Sequence, residues 1–463
     1  MSEEGQMRKA LLISYRFPPQ GGGGVQRTLK FTKYLREFGW EPVVHTARNP
    51  FWPVTDETLL HDVPEGVRVY RTQAFEFERL EQRLATRFKS HDKRGTSRQS
   101  VGRSSGKAPR RPGLSESVRA QVHRRLLVPD PQIAWLPGAF VNGLKIARRE
   151  APRVLYTSSP PNSTQLVGAL LAAALRKPWV ADFRDPWTDG MRRQQAYTGN
   201  RLRGALERAA ERMVVRRADR IVVTAEPLRT RFLAKYPFLA PERVVVLTNG
   251  YDAADFAACS TGGRDIEADR FHLTGTGNIE AMFDARPLLR AIAELIAEHP
   301  GCRADLLVNL VGAKKGQYDA DLQNLGLTER VRYVGWVPHT QSLRYLHQSD
   351  VLLMCAITQP SGQGEKFPAK GFEYLYLRKP VLCLSAPGVT TELLARSGLG
   401  TVVDPADLAG IKAALRTFYD RRHQPARGDA AFITRFDRRR LTEELAGIFD
   451  TLAGVRNPAS VAA

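Results

Sequence analysis

LLISYRFPPQGGGGVQR, residues Leu11–Arg27, passes from an apolar run through a proline turn into four consecutive glycines and the start of a helical pattern. Ala10–Tyr15 reads as a strand and Thr28–Phe38 as the helix that follows. A strand that ends in a glycine turn and opens a helix is the first unit of a parallel, helix-covered sheet. Gly21–Gly24 let the backbone approach a ligand closely, and their N–H groups with the helix N-terminus suit an anion. The carboxyl end of a first parallel strand is also where open sheets of this kind bind ligands.

The alternation continues outward from this stretch. Pro42–Thr46, Val67–Tyr70, Val154–Ser158, Trp179–Phe183, Ile221–Thr224 and Val244–Thr248 are short runs with strand character. A second series starts at Phe271 and continues with Leu306–Val311, Val331–Val334, Val351–Ala356, Val381–Ser385 and Thr401–Val403. Helical stretches such as Pro287–Glu298 and Lys370–Leu377 lie between them. Two series predict two parallel sheets, each covered on both faces, in two domains. The polar stretch Asp252–Arg270 is the expected hinge, which divides the chain into 1–255, 266–425 and a C-terminal helix and tail over 426–463. From Arg87 to Arg125 twelve Lys or Arg residues stand against two acids, without the periodicity of a packed core. This excursion fits either a solvated basic loop or a patch for anionic lipid headgroups.

Composition bounds what such domains do. The 463 residues are 43% hydrophobic and 25% charged, which excludes wholesale disorder and collagen-like fibres. Lys and Arg total 69 against 48 Asp and Glu, and the resulting +21 implies an anionic partner: nucleic acid, acidic lipid or phosphorylated substrate. Cys259, Cys302, Cys355 and Cys383 form no C-x-x-C, and the last three lie in or beside apolar runs, as in a reducing compartment. MSEEGQMRKA lacks the apolar centre of a signal peptide, and Leu166–Leu175 is far shorter than the ~20 residues of a spanning helix. The expectation is a soluble cytoplasmic protein, attached at most to a membrane surface.

Several chemistries lack their motif. No G-x-G-x-x-G closes, because Gly22-x-Gly24 is followed by Arg27 and Gly275-x-Gly277 by Glu280, which weakens a dinucleotide oxidoreductase. There is no P-loop, H-E-x-x-H, G-x-S-x-G or cysteine-rich zinc spacing. Asp319-Ala320-Asp321 has the form of an acidic metal triplet, but it follows Tyr318 at what reads as a helix start, where the helix dipole favours acids. No metal ligand set is assigned. The strongest constellation is GEKFPAKGFEYLYLRKP, Gly364–Pro380, in which seven residues separate Glu365 from Glu373. A helix beginning near Pro368 sets Lys370 and Glu373 on one face near its positive end. Such an end suits a diphosphate, with lysine as the point charge and a carboxylate free to accept from vicinal sugar hydroxyls.

This segment resembles the E-x7-E signature of the retaining, family-4-like glycosyltransferases. The order of strand, motif, helix and LRKPVLCLS is similar as well. PPQGGGGVQRTLKFTKYLREFGW resembles the opening loop and helix of that family, VTAEPLRTRFL and VLTNGYDAADF the end of its N-terminal domain, and GWVPHTQSLRYLHQSDVLL the stretch before its motif. The similarity covers nearly the whole chain apart from the basic excursion and the last dozen residues. It implies an α/β fold of two Rossmann-like domains facing a cleft (GT-B), with the C-terminal helix packing back on the N-terminal domain. It also implies an enzyme that transfers a sugar, with retention, from a UDP- or GDP-linked donor to a hydroxyl acceptor, without a separate cofactor or metal.

By the same resemblance Glu373 accepts from the donor ribose, Lys370 meets the diphosphate and Glu365 sits near the transferred sugar. Gly23 and Gly24 face the donor phosphates or the acceptor, and Arg286 is the phosphate-binding base in the first loop of the second domain. The chain departs from the family twice. The partner arginine expected before Arg286 is missing from GTGNIEAMFDARP, and VADFRDPWTD carries Arg184 and Asp185 where many relatives have a histidine. Asp182, Arg184 and Asp185 are therefore read as acceptor-side residues, with Ser158–Asn162 and Trp187 beside them. Arg184 would stabilise the departing phosphate and Asp185 orient an acceptor hydroxyl; a local Arg–Asp pair holding the loop is the alternative. The basic balance points to a lipid-linked or saccharide acceptor at the inner face of a membrane, as in bacterial surface polysaccharide or glycolipid assembly, and to no specific nucleic acid. A sugar-nucleotide epimerase or hydrolase of the same fold, or a polyanion-binding relative without activity, are the competing functions.

Overall fold

Residues 7–50, 54–75, 127–189, 201–257, 259, 263–277, 284–313, 316–355 and 366–455 are described in a computed structural model. The basic excursion and Glu365 lie outside the described residues. The first sheet comprises β1 (Arg8–Ser14), β2 (Trp40–Ala47), β3 (Arg68–Thr72), β4 (Val154–Ser159), β5 (Trp179–Phe183), β6 (Arg220–Val223) and β7 (Val244–Val246), in the order β3-β2-β1-β4-β5-β6-β7. The second comprises β8 (Phe271–Thr276), β9 (Leu306–Val311), β10 (Val331–Gly335), β11 (Val351–Cys355), β12 (Val381–Leu384) and β13 (Gly400–Val403), in the order β10-β9-β8-β11-β12-β13. Both are parallel, as the two series of apolar runs predict.

The helices are α1 (Gly23–Tyr34), α2 (Leu136–Glu150), α3 (Ser163–Leu175), α4 (Arg201–Arg217), α5 (Glu226–Lys235), α6 (Arg286–Glu298) and α7 (Pro300–Asp305). They continue with α8 (Asp319–Asn324), α9 (His339–Gln348), α10 (Ala369–Leu377), α11 (Val389–Ser397), α12 (Leu408–Asp420), α13 (Ala430–Thr434) and α14 (Arg438–Leu452). None among the described residues is long and apolar enough to cross a membrane. Asp319 and Asp321 occupy the first turn of α8, the placement expected of acids at a positive helix end.

Burial explains why the strands read as they do. Every residue of β4, β8, β9, β11 and β12 is buried, whereas the edge strands β3, β10 and β13 are partly exposed. Central strands covered on both faces have no polar face to alternate with, so they appear as continuous apolar runs. In β11, Val351, Leu353 and Cys355 enter one core with Leu289, Ile292 and Leu415, while Leu352 and Met354 enter the opposite core with Phe372, Leu375 and Leu343. Val381 and Cys383 of β12 follow the second core, and Leu382 and Leu384 the first. All four cysteines are free and buried.

The chain forms two compact units that are each discontinuous in sequence. One is drawn from Met1–Phe17, Glu41–Pro53 and Val67–Ile221, the other from Pro18–Trp40, Val54–Gly66 and Val222–Ala463. Within the second unit, α1 is tied to the segment after β7 by the buried Arg27, whose guanidinium donates to the carbonyls of Leu247 and Thr248 at 2.9 and 2.7 Å. The C-terminal helix α14 lies against α1, and Trp40 donates its indole N–H to Asp450 at 2.9 Å. The Trp40 ring also meets Phe449 edge-on at 5.4 Å. A packing of the last helix on an early one is what the family resemblance implies.

Candidate functional site

Two of the four glycines have separate structural reasons. Gly22 caps α1 with φ of 94°, a conformation L side chains rarely adopt. At Gly21 a Cβ would come within 2.8 Å of Val54 Cγ1, and the Gly21 N–H donates to the Val54 carbonyl at 3.0 Å. Gly23 is different, because a Cβ there would meet nothing within 4 Å. It borders a cavity of about 400 Å³, into which Gln26 and Lys30 of the same helix also face. Residues 22, 26 and 30 recur every four positions, which keeps them on one side of α1.

The opposite wall comes from the carboxyl ends of four strands of the second sheet. Thr276 ends β8 and Gly277 follows it, Val311 ends β9 and Gly312 follows it, Trp336 to His339 follow β10, and Pro368 to Lys370 come after β11 in the chain. The strand order reverses between β8 and β11, so the cavity lies where an open α/β sheet leaves a crevice. Gly277 has φ of 84°, and the backbones of Gly277 and Gly312 pass so closely that a Cβ on Gly312 would lie 3.3 Å from Gly277 Cα. Helix α10 starts after Pro368 with no side-chain cap among the described residues, and a helix start of this kind suits an anion. Lys370 donates to the Thr276 carbonyl, and burial pulls its pKa below the usual lysine range. One turn on, Glu373 Oε1 lies 2.8 Å from His339 Nε2.

A cluster of charges lines the same cavity through Lys30, Asp252 and Asp255. Lys30 Nζ, on a side chain only 2% exposed, is 2.5 Å from Asp62 and 2.7 Å from Asp252, and it also pairs with Asp255. Lys33 bridges Asp62 and Asp252 at 2.6 and 2.8 Å, and the Tyr34 hydroxyl donates to Asp252 at 2.5 Å. Burial works to lower the Lys30 pKa, but the charges of Asp255, Asp252 and Asp62 overcome it and hold it above the usual range. Burial likewise works to raise Asp252, and Lys30, Lys33 and Tyr34 hold it well below the usual carboxylate range. Asp62, Asp252 and Asp255 bring their carboxylates together as a metal site would, yet they close around the Lys30 ammonium.

The structure therefore gathers Gly23, Lys370 and Glu373 around one cavity. Gly24 lies in the first turn of α1 and is not part of the lining, and Glu365 falls outside the described residues. Arg286 opens α6, stacks over Tyr318 at 5.8 Å and pairs with Asp284 at 3.2 Å and Asp321 at 3.5 Å; it does not line the cavity. Arg184 and Asp185 follow β5 in the other unit. Arg184 donates to the carbonyls of Ser159 and Pro160 at 3.1 and 3.0 Å, so it holds the Ser158–Asn162 loop. Asp182 is wholly buried and accepts from Tyr156 and Ser158 at 2.7 and 2.9 Å, and Trp187 is buried against Glu207. Neither presents an open group to a ligand in this arrangement. Sequence reading passed over His339 and Lys30. The histidine had a signal in its place directly after Pro338 at the start of a helix, but Lys30 is one of many lysines until its partners are known.

Comparisons with known proteins agree with this architecture. Residues 101–255 match the model for Glycosyltransferase Family 4, and residues 276–431 match that for Glycosyl transferases group 1. A D-inositol 3-phosphate glycosyltransferase of Kineococcus radiotolerans is 29% identical over 239 residues, which are 48% of this chain and 53% of that protein. A glycogen synthase of Mycobacterium tuberculosis is 24% identical over 221 residues, or 47% of this chain and 50% of its own. The chain thus spans about half the length of the curated relatives it matches. Among solved structures, Anabaena HepE in complex with UDP superposes with a TM-score of 0.60 at 17% identity, covering 96% of this chain and all of that one, which is a likeness of fold. With both modules matched and the two sheets in place, the chain belongs to the family-4-like glycosyltransferases of the GT-B fold.

Proposed function

We propose that the protein transfers a sugar from a nucleoside-diphosphate sugar to a hydroxyl acceptor, with retention at the anomeric carbon. The observation that carries this is the convergence of Lys370, the uncapped start of α10 and Glu373 on one cavity at the sheet's switch point. In the reaction the bond from the anomeric carbon to the diphosphate breaks, and a bond to the acceptor oxygen forms on the same face. The acceptor proton leaves with the diphosphate. The site's task is to stabilise charge on that leaving group, which fixed cations and helix N–H groups do without reorganisation. Lys370 and the first turn of α10 take the diphosphate, Gly23 faces it from α1, and Glu373 accepts from the ribose hydroxyls. Burial disfavours the charged form of Lys370, and a diphosphate beside it favours that form.

Glu365 is assigned to the transferred sugar, and Arg184 and Asp185 to the acceptor side. Arg286 joins the diphosphate only on leaving Asp284 and Asp321. UDP in the HepE complex supports a uridine-linked donor. The surplus of basic residues supports an acceptor on a lipid carrier at an anionic membrane face, in bacterial surface polysaccharide or glycolipid assembly. A thermal-shift panel of UDP, GDP, ADP and dTDP with their sugars tests the donor assignment. One nucleotide is expected to raise the melting temperature, and Glu373→Ala to weaken its binding ~10-fold or more, as for a lost charged hydrogen bond. Unchanged binding by Glu373→Ala would remove the ribose assignment. Donor turnover that needs no acceptor would favour the epimerase or hydrolase instead.

A further inference from the structure

His339 stands between two carboxylates. Its Nε2 is 2.8 Å from Glu373 Oε1 on α10, and its Nδ1 is 4.0 Å from Asp255 Oδ2 on the short 3₁₀ turn Ala253–Phe256. A neutral imidazole carries one N–H and serves only one such neighbour, whereas the imidazolium carries two. Its backbone is fixed independently. Pro338 precedes it, and its own N–H donates to Asp56 Oδ2 at 2.9 Å, so that a distant aspartate caps the first turn of α9. A further charged neighbour is Lys30 on α1, which opposes the proton but already faces Asp62, Asp252 and Asp255. The side chains of His339 and Glu373 are only 19% and 20% exposed, which leaves water little room to replace one partner with another.

We propose that His339 is a positioning residue for donor binding: its imidazolium holds the Glu373 carboxylate aimed at the ribose, and donor affinity falls as the imidazolium loses its proton. This rests on the assignment of Glu373 to the ribose. Glu373 Oε1 is taken by His339, which fixes the carboxylate plane and leaves Oε2 for the vicinal hydroxyls. Removing the proton removes the charge that pins the carboxylate, and Glu373 then samples orientations in which Oε2 is turned away. Burial alone would lower the His339 pKa, but Glu373, by charge and hydrogen bond, and Asp255 raise it above the ordinary histidine value. The sign follows: the holding interaction is complete well below ~6.5 and is lost as the pH rises through the elevated value. The network running from Lys30 through Asp255 to His339 and Glu373 also joins the glycine-loop helix to the ribose carboxylate.

The test is calorimetric titration, from about pH 6 to 9, of whichever nucleoside diphosphate in the panel binds. Wild type, His339→Gln, His339→Asn and Glu373→Ala are compared after circular dichroism shows which variants fold. Wild-type affinity is expected to fall ~10-fold across the range, which corresponds to about one pKa unit of coupling. The two neutral variants are expected to bind weakly and without pH slope, with donor KM raised and kcat within ~2-fold, the pattern of lost binding rather than lost chemistry. A flat wild-type profile overturns the proposal whether or not any variant folds, and so does a wild-type slope that persists in His339→Gln. Glu373→Ala separates the two assignments. If it binds as tightly as wild type, the ribose assignment itself fails; if it binds weakly while the wild-type profile is flat, only the role of His339 fails.

Discussion

Lys30 sits on the helix that follows the glycine run, and its ammonium is shared by Asp62, Asp252 and Asp255. Replacing it by methionine keeps the shape and leaves three buried or half-buried carboxylates facing one another. Lys30→Met is expected to destabilise the fold by about 3–5 kcal/mol in urea unfolding, the cost of breaking a buried pair from one side. The pH dependence has two edges. Asp252, depressed in the fold, contributes stability above its unfolded pKa near ~3.9 that is lost as the pH falls. Lys30, raised in the fold, contributes stability below its unfolded pKa near ~10.4 that is lost as the pH climbs. Urea midpoints across pH should therefore form a plateau between those values, and Lys30→Met should lower it most in the middle. At this scale the sequence showed what is local. Lys370 and Glu373 are three positions apart and legible as one helix face, whereas Lys30 meets Asp255 across 225 positions and His339 meets Glu373 across 34. Spacing carries no record of such pairs.

Among the elements, the strands were the easiest to read and the start of α1 the hardest. Runs buried on both faces stand out in composition, and β8 to β13 lie where the second apolar series predicts. The pattern predicts a helix from Thr28, whereas α1 begins at Gly23, inside the glycine run. Glycine disfavours helix by about 1 kcal/mol, and here the anchoring of Arg27 and Lys30 outweighs that preference. The helix then ends at Tyr34, and Leu35–Phe38 continue as a 3₁₀ turn. The turn leading into α14 offers a second test. A Cβ on Gly250 would lie 2.2 Å from the Phe436 carbonyl oxygen, which itself accepts from the Tyr251 N–H at 3.0 Å. Gly250→Ala must push this segment away from α14, whose first residue, Arg438, is buried and lines the cavity. A loss of about 1–3 kcal/mol is expected from the overpacking, and nucleotide affinity should fall with it. A variant as stable as wild type would show that the two segments separate at little cost.

For the molecule as a whole, the net charge of +21 has long-range consequences that no single contact carries. Sedimentation with anionic vesicles is expected to fall steeply between about 50 and 500 mM salt and to be absent with neutral vesicles, as for a polybasic surface. Equal binding to neutral vesicles at high salt would remove the membrane proposal. The family and its two-sheet fold were legible because strand runs, glycine loop and E-x7-E spacing are each local. The division into units was less so, since Pro18–Trp40 and Val54–Gly66 group with residues from Val222 onward. That return has a cost in time. Trp40 waits for Asp450, 410 positions later, and a ribosome adding ~5–20 residues per second needs roughly 20–80 s to deliver it. Throughout that interval α1 of the nascent chain lacks the face of α14 it finally rests on, so its packing is completed only after the last helix has been made.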